Sequence, residues 1–314
     1  MSDGVKKISL VIPCYGSEKT VRGVIGEIQS IFLGKVGYDY EVVAVNDCSP
    51  DNVIEVLEDC AAADPKVKVV DLAMNRGKHI ALLCGFSYVT GDIVVTVDDD
   101  GQCPLDRLWD LIAPVEGEYD QAMASYGRRP VSGMKRFGSN VNNMMSRWLL
   151  DKPSDLKFSN FIARKRFVTD AMANYNMPFA YLEGISLTTT RKIKMVEMQE
   201  RDRAAGKSGY TFSKSLKLWL NGYTAFSSKP LRIGGYLGMV LALAGFLGAV
   251  IDLIRLAAGS SFDFSFWFIT ALMTFLTGVV LMCMGLLGEY VGRIFVAQNN
   301  ANQYVVRKTC NIEK

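Results

Sequence analysis

The sequence predicts an α/β domain, built on a mostly parallel sheet covered by helices on both faces, followed by a pair of membrane-spanning helices. Three observations carry that expectation. Over the first 130 residues, short apolar runs alternate with helix-like stretches at the spacing of βαβ units. Polar clusters close the apolar runs. Charged residues then continue to position 232 and almost vanish between 233 and 288.

The first expected strand is residues 8–12 (ISLVI), with Pro13 ending it because proline has no N–H for a ladder. Residues 41–45 (EVVAV), 67–72 (VKVVDL) and 93–97 (IVVTV) are the second, third and fourth. Helices are expected near 18–32, 52–63 and 77–89. In sheets of this kind ligands bind beyond the carboxyl ends of the strands, so the polar residues there are the first candidates for chemistry.

Between 131 and 228 the pattern is less regular. Met134, Phe137, Val141, Met144, Met145 and Trp148 recur at helical spacing among Lys135, Arg136, Arg147 and Lys152. Leu216, Trp219, Leu220, Tyr223 and Phe226 form a second stripe flanked by Lys214, Lys217 and Lys229. Both read as basic amphipathic helices at a membrane interface, and each alone also fits a core-facing helix. Position favours the interfacial reading for the second, because an apolar span begins within ten residues of its end.

Residues 233–251 and 267–288 carry no charge over 19 and 22 positions, close to the ~20 residues that cross a hydrocarbon core. They predict a helical hairpin over 229–292, with spans at about 233–254 and 266–288. Lys229 and Arg232 precede the first span, Arg293, Arg307 and Lys308 follow the second, and the loop 257–266 has no Lys or Arg. Both flanks are therefore expected in the cytoplasm, with 1–228 as the catalytic domain and 293–314 as a cytoplasmic tail. Asp252 and Arg255 run slightly against this and are spaced to pair on a helix. Gly235, Gly238, Ala242, Gly245, Gly248 and Ala249 would allow close helix packing, so a homo-oligomer, a tetramer included, is expected.

The net charge of +3 does not suggest a nucleic-acid partner. Seven scattered cysteines beside one histidine read as reduced cytosolic thiols rather than a zinc site. The polar start, residues 1–7, does not read as a secretory signal. His79, the single histidine, is expected to face a neighbouring helix rather than take part in chemistry.

Asp98, Asp99 and Asp100 follow the fourth strand, with Gln102 and Pro104 just beyond. Three adjacent carboxylates repel one another unless a cation or partner neutralises them. Asp98 and Asp100 would share one side of an extended chain. Such a pair suits Mg²⁺ or Mn²⁺ bridging to a diphosphate, and a solvated acidic turn is the plainer alternative. Asn46, Asp47, Ser49 and Asp51 close the second strand, and Pro13, Tyr15 and Glu18 the first. Asn75, Arg76, Gly77 and Lys78 open a helix after the third, where free amides suit an anion. Convergence of these turns at one sheet edge would make a site.

The runs VIPCYGSE, VAVNDCSPDN, NRGKHIALLCGF and GDIVVTVDDDGQCP resemble the family 2 glycosyltransferases of the GT-A fold. ERDRAAGKSGYTFSKSLKL, SSKPLRI and MGLLGEYVGRIF extend the resemblance to the two-span polyprenyl-phosphate glycosyltransferases. That group includes dolichol-phosphate mannose synthase, polyprenyl-phosphate glucosyltransferase and undecaprenyl-phosphate 4-deoxy-4-formamido-L-arabinose transferase. The resemblance implies a nucleotide-sugar donor, UDP-linked by preference, and a polyprenyl-phosphate acceptor at the inner-membrane face. Cell-envelope glycan or lipid A modification is the expected role. It also places Pro13, Tyr15, Glu18 and Asp47 around the nucleoside, with Lys78, Asp98 and Asp99 on the donor. Asp98 and Asp100 become the metal pair and Gln102 lies by the sugar. Arg128 or Arg129 faces phosphate, and Arg203 and Ser208 close over the diphosphate and lipid phosphate.

Asn46 stands where many relatives carry an acid, Asp99 replaces a small residue, and 157–163 (KFSNFIA) lacks an acid seen in some relatives. A phosphate acceptor, with a second pKa of ~6, needs no strong base, so single inverting displacement is expected. A processive synthase is disfavoured by the absence of Gln-x-x-Arg-Trp and of further spans. Transfer to a glycerolipid or ceramide hydroxyl, and a non-catalytic scaffold or translocation partner, remain as alternatives.

Overall fold

A computed structural model of the chain describes residues 4–126, 156, 159–175, 181–201, 236, 240, 254, 257–258, 266–298 and 302–312. They belong to two units, Met1–Gly222 with Asn302–Lys314, and Tyr223–Ala301.

Among the described residues the first unit has eight strands: β1 (Lys6–Cys14), β2 (Tyr38–Asn46), β3 (Val67–Leu72), β4 (Ile93–Thr96), β5 (Gln121–Tyr126), β6 (Ile162–Lys165), β7 (Ile193–Met198) and β8 (Val306–Cys310). The α-helices described beside them are α1 (Val21–Phe32), α2 (Val53–Ala63), α3 (Lys78–Phe86), α4 (Leu108–Glu116), α5 (Arg166–Ala173) and α6 (Leu182–Thr189). One sheet joins the strands in the order β7-β5-β6-β4-β1-β2-β3-β8. The pairs β1–β2, β2–β3, β1–β4 and β5–β7 are parallel, while β4–β6, β5–β6 and β3–β8 are antiparallel.

Both faces of the central strands are covered, which is why β1 is buried from Ile8 to Cys14. Ile8, Leu10 and Ile12 enter one core with Val21, Val24, Ile25 and Ile28 of α1, Leu57 of α2 and Leu108 of α4. The α1 spacing is the stripe a helix needs to lie on a sheet. On the opposite face Val11 and Val45 meet α3 so closely that a Cβ on Gly85 would stand 2.5 Å from Val11 Cγ1.

Contrary to expectation, Pro13 does not end β1. The strand runs through it to Cys14, in register with Val45 and Asn46 of β2. Val11 O accepts the Val97 amide, so Val11 and its alternate Pro13 face the β4 side. Register with β4 stops at Val11 opposite Thr96, and the N–H that proline lacks has no strand to bond.

Away from that end, buried Glu41 joins Lys7 (2.9 Å), Lys68 (2.8 Å), the Ser9 hydroxyl (2.6 Å) and the Thr90 amide and hydroxyl. Burial alone would raise its carboxyl, but these donors outweigh burial and hold it well below the usual carboxylate range.

β8 lies in the stretch expected as a tail and pairs with the β3 edge. Asn311, beyond it, donates to Ala61 O at 2.7 Å and Val67 O at 2.9 Å.

In the second unit, α7 (Phe266–Gln298) is 33 residues long, about 50 Å at ~1.5 Å per residue. Among the described residues it is the one helix long and apolar enough to cross a membrane, with mean hydropathy 1.7 over Phe275–Gly292. Phe275, Leu281, Met284 and Phe295 are exposed on it. It continues ten residues past the expected end at 288, since no proline follows to break it. The expected first span, apart from isolated positions, and both basic amphipathic stripes lie outside the described residues.

Candidate active site

The strand order changes direction between β1 and β4, the place where ligands bind in sheets of this kind, beyond the carboxyl ends of the strands. Tyr15 follows β1 and Asp98–Asp100 follow β4, so the two turns face one another there. The Tyr15 amide donates to Asp99 Oδ2 at 3.0 Å and links them. Burial pushes the Asp99 carboxyl up, opposed by the Tyr15 amide and reinforced by the neighbouring Asp98 charge. Asp99 thus ties two turns together. Tyr15 itself stays 55% exposed.

Asp98 is gripped from two sides. Lys78 Nζ lies 2.5 Å from its Oδ1, and Asn160 Nδ2 donates to its Oδ2 at 3.0 Å. Asp100 Oδ1 accepts the Gln102 amide at 3.1 Å, across Gly101, whose φ of +75° suits only glycine well. Gln102 in turn exchanges bonds with Arg201: the Arg201 amide donates to Gln102 O, and Gln102 Nε2 donates to Arg201 O. The Arg201 guanidinium is held by Glu27 at 2.8 Å and by Asp106. Arg201 is therefore anchored beside Gln102.

The β2 and β3 turns are built from shared carboxylates. Asp47 is 3% exposed, and its two oxygens accept the amides of Arg76 and Gly77, both at 2.7 Å. Burial raises its carboxyl, partly offset by those amides. Gly77 itself sits at φ +87°, ψ 159°, a conformation that a side chain strains, and α3 starts at the next residue, Lys78. Asp47 thus sets the position from which Lys78 reaches Asp98.

Ser49 accepts the Gly16 amide at 2.8 Å and donates to Asp51, whose other oxygen accepts the Glu18 amide at 2.9 Å. Glu18 answers by accepting the Asn52 amide at 3.4 Å. Burial works to raise the Asp51 carboxyl, and these donors outweigh it and lower it. Asn46 bonds Asp71 (2.8 Å) and receives the Ser49 amide, and Arg307 of β8 holds the other Asp71 oxygen at 3.3 Å.

Among the described residues no three His, Cys, Asp or Glu side chains converge as a closed metal centre. Asp98 and Asp100 instead offer hard oxygens two residues apart, the donor set for Mg²⁺ or Mn²⁺ that completes its shell with water and phosphate. The Lys78 ammonium on Asp98 marks the place where positive charge is drawn. The residues fit such an ion.

Pro13 lies near the carboxyl end of β1 and Lys78 starts α3, while Tyr15, Glu18, Asp47, Asp98, Asp99, Asp100 and Gln102 belong to the turns beyond β1, β2 and β4. Arg128, Arg129, Arg203 and Ser208 lie outside the described residues. Asn160 carries no local signature in the sequence beyond the lack of an acid in 157–163. Arg164 and Glu183 likewise have no motif to mark them. His79 faces α6 as expected, its Nδ1 accepting the Leu182 amide at 3.4 Å and its ring stacked on Tyr181.

Residues 9–176 match the family model described as Glycosyl transferase family 2, and residues 229–294 match that of the GtrB C-terminal hairpin. The undecaprenyl-phosphate 4-deoxy-4-formamido-L-arabinose transferase of Pectobacterium carotovorum is 31% identical over 98% of this chain and 95% of its own. The uncharacterized glycosyltransferase YkcC of Bacillus subtilis is 29% identical over 97% and 94%. In fold, the chain is similar to mannosyl-3-phosphoglycerate synthase from Rubrobacter xylanophilus, with a TM-score of 0.53 at 18% identity over 74% and 75% of the two chains. It is also similar to glucosyl-3-phosphoglycerate synthase from Mycobacterium tuberculosis, solved with Mn²⁺, UDP-glucose and phosphoglyceric acid, with a TM-score of 0.51 at 22% identity over 68% and 76%.

Proposed function

The chain belongs to glycosyltransferase family 2, and from that premise we propose that it moves a sugar from a UDP-sugar to undecaprenyl or another polyprenyl phosphate. The reaction takes place at the cytoplasmic face of the membrane, where a two-helix hairpin holds the enzyme as a homo-oligomer. Cell-envelope glycan or lipid A modification is the role this serves. The reversal of strand order between β1 and β4, with Asp98–Asp100 directly after β4, is the observation that carries the reading. Relatives named for undecaprenyl phosphate align over nearly the whole chain and support the acceptor. The exposed apolar surface of α7 supports the membrane. The fold neighbour that holds Mn²⁺ and UDP-glucose supports a divalent ion and a UDP donor.

The nucleoside rests on the turns carrying Pro13, Tyr15, Glu18 and Asp47, and the diphosphate reaches Asp98, Asp100 and Lys78. Bound to Asp98 and Asp100, Mg²⁺ or Mn²⁺ supplies positive charge opposite the leaving diphosphate. Lys78, at the start of α3, adds a second cation at the same place. The acceptor phosphate, already largely dianionic with a second pKa of ~6, attacks the anomeric carbon as the bond to the diphosphate breaks, with inversion. No proton has to be removed, and the residue beside Asp98 is the neutral amide of Asn160. Arg203 and Ser208, with Arg128 or Arg129, position the two phosphates.

A panel of UDP- and GDP-sugars, offered with undecaprenyl phosphate or with diacylglycerol in bilayers, tests this. Transfer to undecaprenyl phosphate alone is expected, dependent on Mg²⁺ or Mn²⁺. Asp100→Asn is expected to lower kcat by about 100-fold or more at unchanged melting temperature. Near-normal turnover in that variant rejects the metal assignment, and transfer to diacylglycerol rejects the acceptor.

A further inference from the structure

Beside Lys78 lies a pocket whose lining includes His79 of α3, Asn160, Arg164 of β6, and Glu183 and Ser186 of α6. Its polar groups are short of partners. Arg164 is 2% exposed; its Nε donates to Gln121 Oε1 at 3.1 Å, while its Nη1 is buried and unpaired. The Ser186 hydroxyl donates to the same Gln121 oxygen at 2.7 Å. On another lining residue, Glu183, Oε2 is also buried and unpaired. Arg164 and Glu183 form no ion pair with each other, although the Glu183 charge acts to keep Arg164 protonated. Burial lowers the Arg164 pKa to about 10, which leaves it charged near neutrality.

A donor and an acceptor left without partners in one buried place are uncommon in folded proteins, and such groups are satisfied by whatever fills the space. Here the occupant has to supply an acceptor for Arg164 Nη1 and a donor for Glu183 Oε2. A phosphate supplies only acceptors and would face the Glu183 carboxylate with like charge. A hydroxyl or an amide supplies both. Lys78 and Asn160 line this pocket and also hold Asp98, so it adjoins the carboxylate assigned to the donor diphosphate. The sugar is the next group along that donor.

We propose that the Arg164–Glu183 pocket is the subsite that reads a neutral polar substituent, a hydroxyl or amide, on the transferred sugar. This rests on the donor reading above. Glu183 and Arg164 are then specificity-determining residues, and selection works by leaving both buried groups unsatisfied when the substituent is missing.

The test is calorimetric titration of the native chain, Glu183→Gln and Glu183→Ala, in detergent with Mn²⁺, using UDP, UDP-glucose, UDP-xylose and UDP-N-acetylglucosamine. UDP alone is expected to bind all three proteins within about twofold. The native ratio of UDP-sugar to UDP affinity is expected to collapse for at least one sugar by about 10- to 100-fold, the worth of a hydrogen bond to a charged group. A uniform loss across UDP and every UDP-sugar, or no change at all, overturns the proposal. Transfer kinetics on the same three proteins complete the test, and an effect confined to the KM for undecaprenyl phosphate also overturns the proposal, since it would assign the pocket to the acceptor. Failure of the native chain to bind UDP rejects the donor reading itself, and this inference with it.

Discussion

Asp47 accepts two main-chain N–H groups from the turn that launches α3, and that turn carries Lys78 to Asp98. In Asp47→Asn one oxygen becomes an NH₂ facing a backbone donor, so a buried bond is lost and two donors collide. A stability loss of about 1–3 kcal/mol is expected, together with a lower kcat, because the start of α3 shifts. Urea denaturation and transfer kinetics on one preparation measure both, and unchanged values in each would remove Asp47 from this role. At this scale Asp98, Asp100 and Lys78 were legible, since an acidic run after an apolar strand and a Gly-Lys pair opening a helix have local signatures. Asn160 was not. Its bond to Asp98 spans 62 positions and exists because β6 pairs antiparallel with β4.

The strands were legible where burial makes them continuously apolar, as in β1 and β2. They were illegible where they are short or polar: β6 has four residues, IARK, and β8 reads VRKTC. Register explains the Pro13 discrepancy, because a proline is harmless where no neighbouring strand reaches it. The far end of the sheet depends on Glu41, whose partners come from β1, β3 and the Thr90 turn. Glu41→Ala leaves Lys7 and Lys68 without their shared anion. The cost is expected near the lower end of about 3–5 kcal/mol, since both lysines reach water. The folded-state pKa of Glu41 lies below its ordinary value of 4.5. Its contribution is therefore complete above pH 4.5 and drains away as pH falls toward the depressed value. Urea midpoints measured from neutral pH downward should fall more steeply below that value in the native protein than in Glu41→Gln. Parallel curves would remove Glu41 as an acid-sensitive tie.

The whole molecule is threaded so that the chain leaves the first unit, passes through 223–301, and returns to add β8 to the β3 edge. Arg307 on that strand holds Asp71, which holds Asn46 at the base of the β2 turn. A chain ending at 228 loses β8, bares the β3 edge, and is expected to melt lower and aggregate. Joining 222 to 302 through a flexible linker is expected to restore both properties, as read by melting temperature and light scattering. Equal stability of the two would show β8 to be dispensable. The sequence by itself determined the doubly covered sheet, the acidic run after β4 and the apolar C-terminal region, because each follows from local hydrophobic period and charge. Only the tertiary structure decided that Asp99 bridges two turns, that Asn160 and Lys78 meet on Asp98, that Arg164 and Glu183 share a pocket, and that the tail closes the sheet. Those contacts join residues tens to hundreds of positions apart, and no local periodicity records which strands will be neighbours.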